Sequence, residues 1–301
     1  MTSRTLRIGL TQWHATTDVE ANVATAVRCI ERAAEGGAAV VALPENGLML
    51  GTNSEMRAAA SGVDGDPVRS LRDAARRFGV VVVLGGMKNT TDDGVFNSAL
   101  VIDASGEIAG RYDKLHLFDA NIGGQSFEAS SVEKPGSELV VVDVDGVRLG
   151  LTICYDVRFP EVARALAVAG AEVILVPAAF VYATGEAHWH TLLRARAIEN
   201  LAYVVAPATV RSADPEYTDG FTTYGHALAV GPWGSVLADL GDATEAVEVL
   251  ELDMAEVEAA RAKLPVLGGR RDPSVYASQP RVLSVASSRS VAGGSAKEGA
   301  A

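Results

Sequence analysis

Three residues, far apart in the chain, are of types that could work together on a carbonyl. Cys154 ends an apolar run, LGLTIC, and the chain turns polar at once in YDVRFPE. A cysteine at the carboxyl end of a strand sits where α/β folds expose reactive groups. A tight turn there lifts a nucleophile into a cleft and frees the next backbone N–H to face an oxyanion. Taken alone, the same thiol reads as a small buried hydrophobe, the commonest fate of a free cysteine. Glu45 follows VVALP and precedes Asn46, again at a strand end. Behind apolar residues it is expected to be partly desolvated, its pKa raised toward that of a general base. The bland alternative is a loop acid or a helix cap. Lys114 lies in GRYDKLHLF, where alternation puts Tyr112, Lys114 and His116 on one face of an extended segment. It is either a buried cation able to polarise a carbonyl or a solvated charge on an edge strand. Cys29, inside a regular helical run, reads as core.

The elements that must hold these residues alternate between short β-branched runs and Ala-rich helical segments, the pattern of an α/β protein. Strands are expected at Arg7–Thr11, Val40–Leu43, Val80–Leu84, Ser98–Ile102, Val140–Val144, Arg148–Ile153, Val173–Val176, Tyr203–Pro207, Ala227–Val230 and Val247–Leu252. Helices are expected at Asn22–Glu35, Pro67–Phe78, Glu161–Ala169 and His188–Asn200. The chain also resembles itself. RIGLTQ at Arg7 returns as RLGLTIC at Arg148, and AAVVALPEN at Ala38 is answered by AEVILVPAAF at Ala171. NSALVIDASGEIAG is answered by HALAVGPWGSVLADL, each with a turn dipeptide between two strands. Two similar α/β layers packed sheet against sheet are the expectation.

Composition narrows the class. The 301 residues carry 26 Lys+Arg against 38 Asp+Glu, a formal charge of −12, with 48% hydrophobic residues. That balance is globular and argues against a nucleic-acid binder, which needs a clustered basic face. Two cysteines cannot staple a secreted scaffold, so a reduced cytoplasmic setting is expected. No signal-peptide pattern and no bilayer-length apolar run stands in the sequence, so a soluble protein without membrane partners is expected. GGRRDPSVY reads as an extended arm on a surface, and residues 287–301 as a disordered tail after a domain spanning 1–286.

In combination, Glu45 in LPEN, Lys114 in YDKLHLFD and Cys154 in TICYDVRFPE resemble the nitrilase superfamily of carbon–nitrogen hydrolases, and the intervals of 69 and 40 residues fit that family. The resemblance runs from about Arg7 to Tyr276. Longer phrases, CYDVRFPE, TGEAHWHTLLRARAIEN and YGHALAVGPWGSVLA, point to its omega-amidase and deaminated glutathione amidase branch. Ala227 departs from the serine that relatives commonly carry there. The resemblance implies an αββα sandwich with internal duplication that pairs into a homodimer or higher homo-oligomer. It implies a Cys154 nucleophile, Glu45 as general base and acid, and Lys114 with the backbone N–H of Tyr155 as oxyanion donors. Glu128, in SFEAS, is then the second glutamate that orients lysine and substrate, and Phe180, Tyr182 and Arg158 are candidates for the pocket. Arg158 either binds a substrate carboxylate or has a structural role. A small amide is the implied substrate, cut to carboxylate and ammonia without cofactor or metal; nitriles and N-carbamyl amino acids suit the same triad.

Rival readings are weaker. His188 and His190 lie two apart on a helix and so face different ways, whereas a helical metal pair is four apart. His14, His116 and His226 are scattered at no ligand-like spacing. A Cys154–His116 thiol enzyme is possible in principle. VVLGGM lacks nucleotide-loop spacing. A catalytically silent interaction protein on the same fold is the reading from another class.

Overall fold

The computed structural model describes residues 4–211 and 221–285. One compact unit ends at Gly268, earlier than the expected boundary at 286, and a second unit begins at Gly269. In that second unit the expected extended arm contains a short helix, Pro273–Ala277, whose Asp272 side chain accepts the Ser274 N–H. Asp272 is the N-cap and Pro273 sits where its missing N–H costs nothing. The tail expected at 287–301 lies outside the described residues.

Within the compact unit the sequence repeat becomes a structural one. In the first half Thr5–Trp13, Val40–Ala42 and Val81–Thr91 run parallel, with Gly94–Ile102 and Ile108–Asp113 continuing antiparallel. In the second half Val147–Leu151, Val173–Leu175 and Tyr203–Ala206 run parallel, with Leu228–Val230 and Val236–Asp239 antiparallel. Each leading strand has an antiparallel partner on its other side, Glu245–Asp253 for the first half and Val141–Val144 for the second. Ala208–Arg211 crosses from the second half to pair in parallel with Thr5–Trp13. The parallel strands are joined by helices Val19–Glu35 and Asp66–Phe78 in one half and Pro160–Val168 and Tyr182–Asn200 in the other.

One core forms between the sheets, where Ile8, Leu10, Val83 and Val101 meet Leu149, Leu151, Val205 and Val230. A second forms outside the first sheet, where Ile30, Ala33, Leu71 and Ala75 of the helices cover Val41, Val82 and Leu84. Trp189, Leu193 and Ala197 cover the second sheet. The result is a four-layer αββα arrangement, and each fully buried aliphatic side chain contributes about 1.5–3 kcal/mol to it.

The repeated motif has a physical meaning. A β-carbon on Gly9 would lie 2.7 Å from Ala33 Cβ, and one on Gly150 would lie 3.1 Å from Leu166 Cβ. The glycine in each copy therefore lets a helix approach its sheet. The threonine two residues later donates its hydroxyl to the neighbouring strand in both halves, Thr11 to Ala42 O and Thr152 to Leu175 O, each at 2.7 Å. The strand ends that follow carry the site.

Candidate active site

Glu45 and Cys154 come from opposite halves and meet at the carboxyl ends of their sheets. The chain enters Cys154 from the strand through Thr152 and Ile153, and Cys154 takes a left-handed backbone, φ 47°. For a residue with a β-carbon this conformation is strained and needs a reason. The reason lies in the turn's anchors. Cys154 N–H donates to Pro177 O at 2.8 Å, and the buried Asp156 carboxylate accepts the Ile153 N–H at 2.9 Å and the Tyr112 hydroxyl at 2.6 Å. Asp156 also accepts from His116, through the backbone N–H at 3.1 Å and with ring Nδ1 at 2.8 Å. One buried acid thus ties the cysteine turn to the segment that carries Lys114.

Lys114 begins where the strand Ile108–Asp113 stops, its N–H on Asn97 O at 2.9 Å. Its ammonium donates to Glu45 Oε1 at 2.7 Å. Asn97 Nδ2 donates to the same oxygen at 2.9 Å, and the Ala179 N–H donates to Oε2 at 2.9 Å. Glu45, Lys114 and Cys154 are all buried. The Cys154 side chain lines the same pocket as Glu45, Lys114 and Ala179, close enough to feel the charges of the first two.

The electrostatics differ from the sequence expectation in one respect. Burial pushes the Glu45 carboxyl upward, as expected. Lys114 and then Lys88 outweigh it, helped by hydrogen bonds from Lys114 and the Ala179 N–H, so its pKa is lowered and not raised. Burial and the adjacent Glu45 charge push the Cys154 thiol up, against the opposing pull of Lys114. Lys114 is disfavoured as a cation by burial, but Glu45, Cys154 and Glu133 more than compensate and raise it. At rest the site holds a carboxylate, an ammonium and a protonated thiol.

Lys88 and Glu133 are the residues that sequence reasoning missed. The Lys88 ammonium pairs with Glu133 at 2.5 Å, with the glutamate side chain 1% exposed. The expected strand stopped at Leu84, whereas the real one runs to Thr91 past a register shift between Leu84 and Met87. Gly85 and Gly86 make that bulge. A β-carbon on Gly86, whose φ is 147°, would come within 2.7 Å of Asn97 Oδ1 and 3.3 Å of Glu45 Cγ. A bulge re-aims the residues beyond it, and here it brings Lys88 to the site.

Glu128 does not take the expected place beside Lys114. Its carboxylate is exposed, in contact with the Ser126 hydroxyl at 3.3 Å, and it lines the pocket mouth. The buried second acid is Glu133, five residues on. Glu128 ends a hairpin, Asp119–Ile122 with Gln125–Glu128, turned by Gly123 and Gly124 at positive φ. Tyr182 is likewise outside: it heads the helix Tyr182–Asn200, is 46% exposed and packs edge-on against Tyr224. Val181 and Thr184 line the wall instead. That helix begins six residues before the expected His188, at a start that no side chain caps and that the sequence therefore does not mark.

The cavity above the thiol holds about 300 Å³ and is walled by Phe118, Phe127, Tyr155, Phe180 and Phe221, with Arg158 and Lys88 as its added cations. Tyr155 packs edge-on against Phe118 at 5.0 Å between ring centroids. The Arg158 guanidinium lies 5.0 Å over the Phe180 ring and 3.3 Å from His188 Nδ1. Among the described residues no carboxylate lies within salt-bridge distance of Arg158. His116 is spent on Asp156 and stacks on Phe159 at 3.5 Å, so the Cys–His arrangement does not form. Cys29 is core, as expected, and burial pushes its thiol up to about 12.

The fold and this site define a class that comparison with known proteins identifies. Residues 7–262 match the carbon–nitrogen hydrolase family model, and the chain belongs to that family. It is 36% identical over 276 residues to the deaminated glutathione amidase of Dictyostelium discoideum, covering 88% of this chain and 94% of that one. It is 35% identical over 270 residues to the chloroplastic omega-amidase of Arabidopsis thaliana, covering 88% and 72% respectively. A solved structure of the amidase from Nesterenkonia, a glutamate-to-glutamine mutant with the acetamide moiety of fluoroacetamide added covalently at its active-site cysteine, superposes with TM-score 0.74 at 28% identity, over 90% of this chain and 95% of that one. The protein is an enzyme of the carbon–nitrogen hydrolase class. None of the helices among the described residues is long and apolar enough to cross a membrane.

Proposed function

We propose that this enzyme hydrolyses a linear carboxamide to carboxylate and ammonia through a thioester on Cys154. The observation that carries the reading is the buried Glu45 carboxylate paired with the Lys114 ammonium at 2.7 Å, with the Cys154 thiol lining the same aromatic pocket. A carboxamide resists attack because its carbonyl is resonance-stabilised and its nitrogen leaves poorly until protonated. With the thiol protonated at rest, its proton passes to Glu45 as sulfur bonds to the carbonyl carbon. Lys114 and the Tyr155 backbone N–H hold the oxyanion, each such donor lowering the barrier by about 3 kcal/mol. Glu45 returns the proton to the departing nitrogen, the C–N bond breaks and ammonia leaves. Water then attacks the thioester while Glu45 takes its proton, the C–S bond breaks, and the acid leaves with the thiol restored.

For substrate we propose the terminal amide of a small dicarboxylate or its 2-oxo derivative, including deaminated glutathione. Arg158 at the pocket wall supplies the cation for the distal carboxylate, and the two named relatives are amidases of this kind. An ammonia-release screen over such monoamides, uncharged amides, nitriles and N-carbamyl amino acids tests this, run beside Arg158→Met. The monoamides are expected to lead. The variant raises KM for them about tenfold, the worth of one charged hydrogen bond, and leaves uncharged amides unchanged. A nitrile-only profile contradicts the amidase reading, and equal KM shifts for charged and uncharged amides contradict the role of Arg158. We also propose a cytoplasmic homodimer, following the family resemblance; light scattering on the full chain giving a monomer mass contradicts the dimer.

A further inference from the structure

The histidines that stand at no ligand-like spacing in the sequence are brought together by the fold at a place the proposed chemistry does not use. His190 projects from the helix Tyr182–Asn200, His226 precedes the strand Leu228–Val230, and Asp239 ends the strand Val236–Asp239. His190 Nε2 lies 2.8 Å from Asp239 Oδ2, and His226 Nδ1 lies 2.9 Å from Oδ1 and 3.2 Å from Oδ2. The donor atoms of all three residues fall within 4.8 Å of one another. A zinc ion holds nitrogen and oxygen ligands at about 2.0–2.1 Å, so donors around it stand roughly 3.3 Å apart. The carboxylate oxygen must draw back from each ring by a few tenths of an ångström, and the two ring nitrogens, which lie within 4.8 Å of each other, must close by up to about 1.5 Å, a side-chain adjustment.

The ligands are also held from behind. Asp239 Oδ1 accepts the Gly241 N–H at 2.9 Å, while His226 N–H donates to Gly241 O at 2.7 Å. The Trp189 indole donates to His226 O at 2.8 Å, and Tyr224 stacks on the His226 ring with centroids 4.2 Å apart. His226 itself keeps a left-handed backbone, φ 52°. Partners of this kind fix a ring's direction before a ligand arrives, which is what outer-shell groups do around metal-binding histidines. All three side chains are partly exposed, at 27–36%, so an ion has a path in.

We propose that His190, His226 and Asp239 form a site for one divalent transition-metal ion, with zinc as the best fit to two imidazoles and a carboxylate. Without metal, each imidazole gives its N–H to the carboxylate. On binding, the ion takes that place and the two neutral rings carry their protons on His190 Nδ1 and His226 Nε2. Three protein ligands leave one tetrahedral position for water. None of the three lines the catalytic pocket, so the site clamps the hairpin Leu228–Asp239 to the helix whose first turn forms the pocket wall.

The test uses full-length Cys154→Ala protein stripped with chelator, so that the pocket thiol cannot take the metal. Zinc chloride is titrated by calorimetry, and cobalt chloride is followed by visible absorption. One ion per chain is expected, with an affinity on the order of micromolar or tighter and the intense d–d bands of tetrahedral cobalt. His190→Ala, a change on a partly exposed helix face, weakens binding about tenfold or more and removes the rise in melting temperature that zinc produces. Asp239→Ala does the same. His188→Ala, two residues away on the same helix, binds as the parent does. No saturable binding, or binding that survives His190→Ala and Asp239→Ala, overturns the proposal.

Discussion

The strand end after Thr11 and the strand end after Thr152 are equivalent positions in the two halves, and their contents are opposite. By register, Trp13 occupies the place of Cys154 and Ala178 the place of Glu45. Trp13 is fully buried, its indole donating to Gly47 O at 2.9 Å, and Ala178 is fully buried too. One half closes its strand end with an apolar plug and contributes the acid and both lysines. The other strips its proline loop to alanine and contributes the thiol and the Ala179 N–H. Duplication thus supplies two sets of strand ends facing each other, and the site arises where the copies differ. The shared residues, Gly9 with Gly150 and Thr11 with Thr152, hold the scaffold.

Substituting equivalent positions should separate chemistry from scaffold. The largest effect belongs to Cys154→Ala. Ammonia release falls by about 10⁴-fold or more with the melting temperature nearly unchanged, whereas Trp13→Ala costs about 3–5 kcal/mol of stability, read by urea unfolding. Lys114→Met comes next. It lowers kcat by about 10²–10³-fold and destabilises the fold by about 3–5 kcal/mol, because Glu45 is left charged and buried without its partner. Glu45→Gln added to that variant restores the stability and none of the rate.

The pH dependence of stability tests the same pair. Glu45 has a lowered pKa in the folded protein, so its contribution is complete above the unfolded value of about 4.3 and is lost as the pH falls through the lower folded value. Lys114 is raised, so its contribution is complete below about 10.4 and is lost as the pH rises through the higher folded value. Melting curves of the wild type and the Glu45→Gln, Lys114→Met double variant should run parallel between those limits. In acid the wild type should lose the Glu45 contribution and the double variant should not. Among the scaffold substitutions, Gly9→Ala costs about 1–3 kcal/mol, since Ala33 Cβ stands in the way. Gly150→Ala costs less, and Thr11→Val and Thr152→Val cost about 1 kcal/mol each. A silent member of either pair breaks the equivalence.

What could be read in the sequence follows from what is local. Glu45 and Cys154 each follow an apolar run that ends abruptly, and Lys114 sits among aromatics, so chemistry at strand ends was visible. The repeat was visible because RIGLT and RLGLT serve the same packing need twice. Lys88 was hidden because the Gly85–Gly86 bulge interrupts the alternation that marks a strand. Glu133 was hidden because nothing periodic surrounds it: it shares with Glu128 the stretch from Asn121 to Lys134, which has no strong anchor, and the resemblance fell on Glu128. The sign of the Glu45 shift could not be read at all: burial is a local inference, but the two lysines that overrule it lie 43 and 69 residues away. His190 and His226 escaped for the same reason, their meeting point being an aspartate on a third element.

The direct test of the mechanism is the mass of the acylated enzyme. Wild-type protein turning over a slow amide is quenched in acid, digested and weighed. The peptide containing Cys154 should gain the acyl group of the substrate, lose it on treatment with hydroxylamine, and remain unmodified in Cys154→Ala. Ammonia release by Cys154→Ala at the wild-type rate, or an acyl group found on any other residue, would contradict the account.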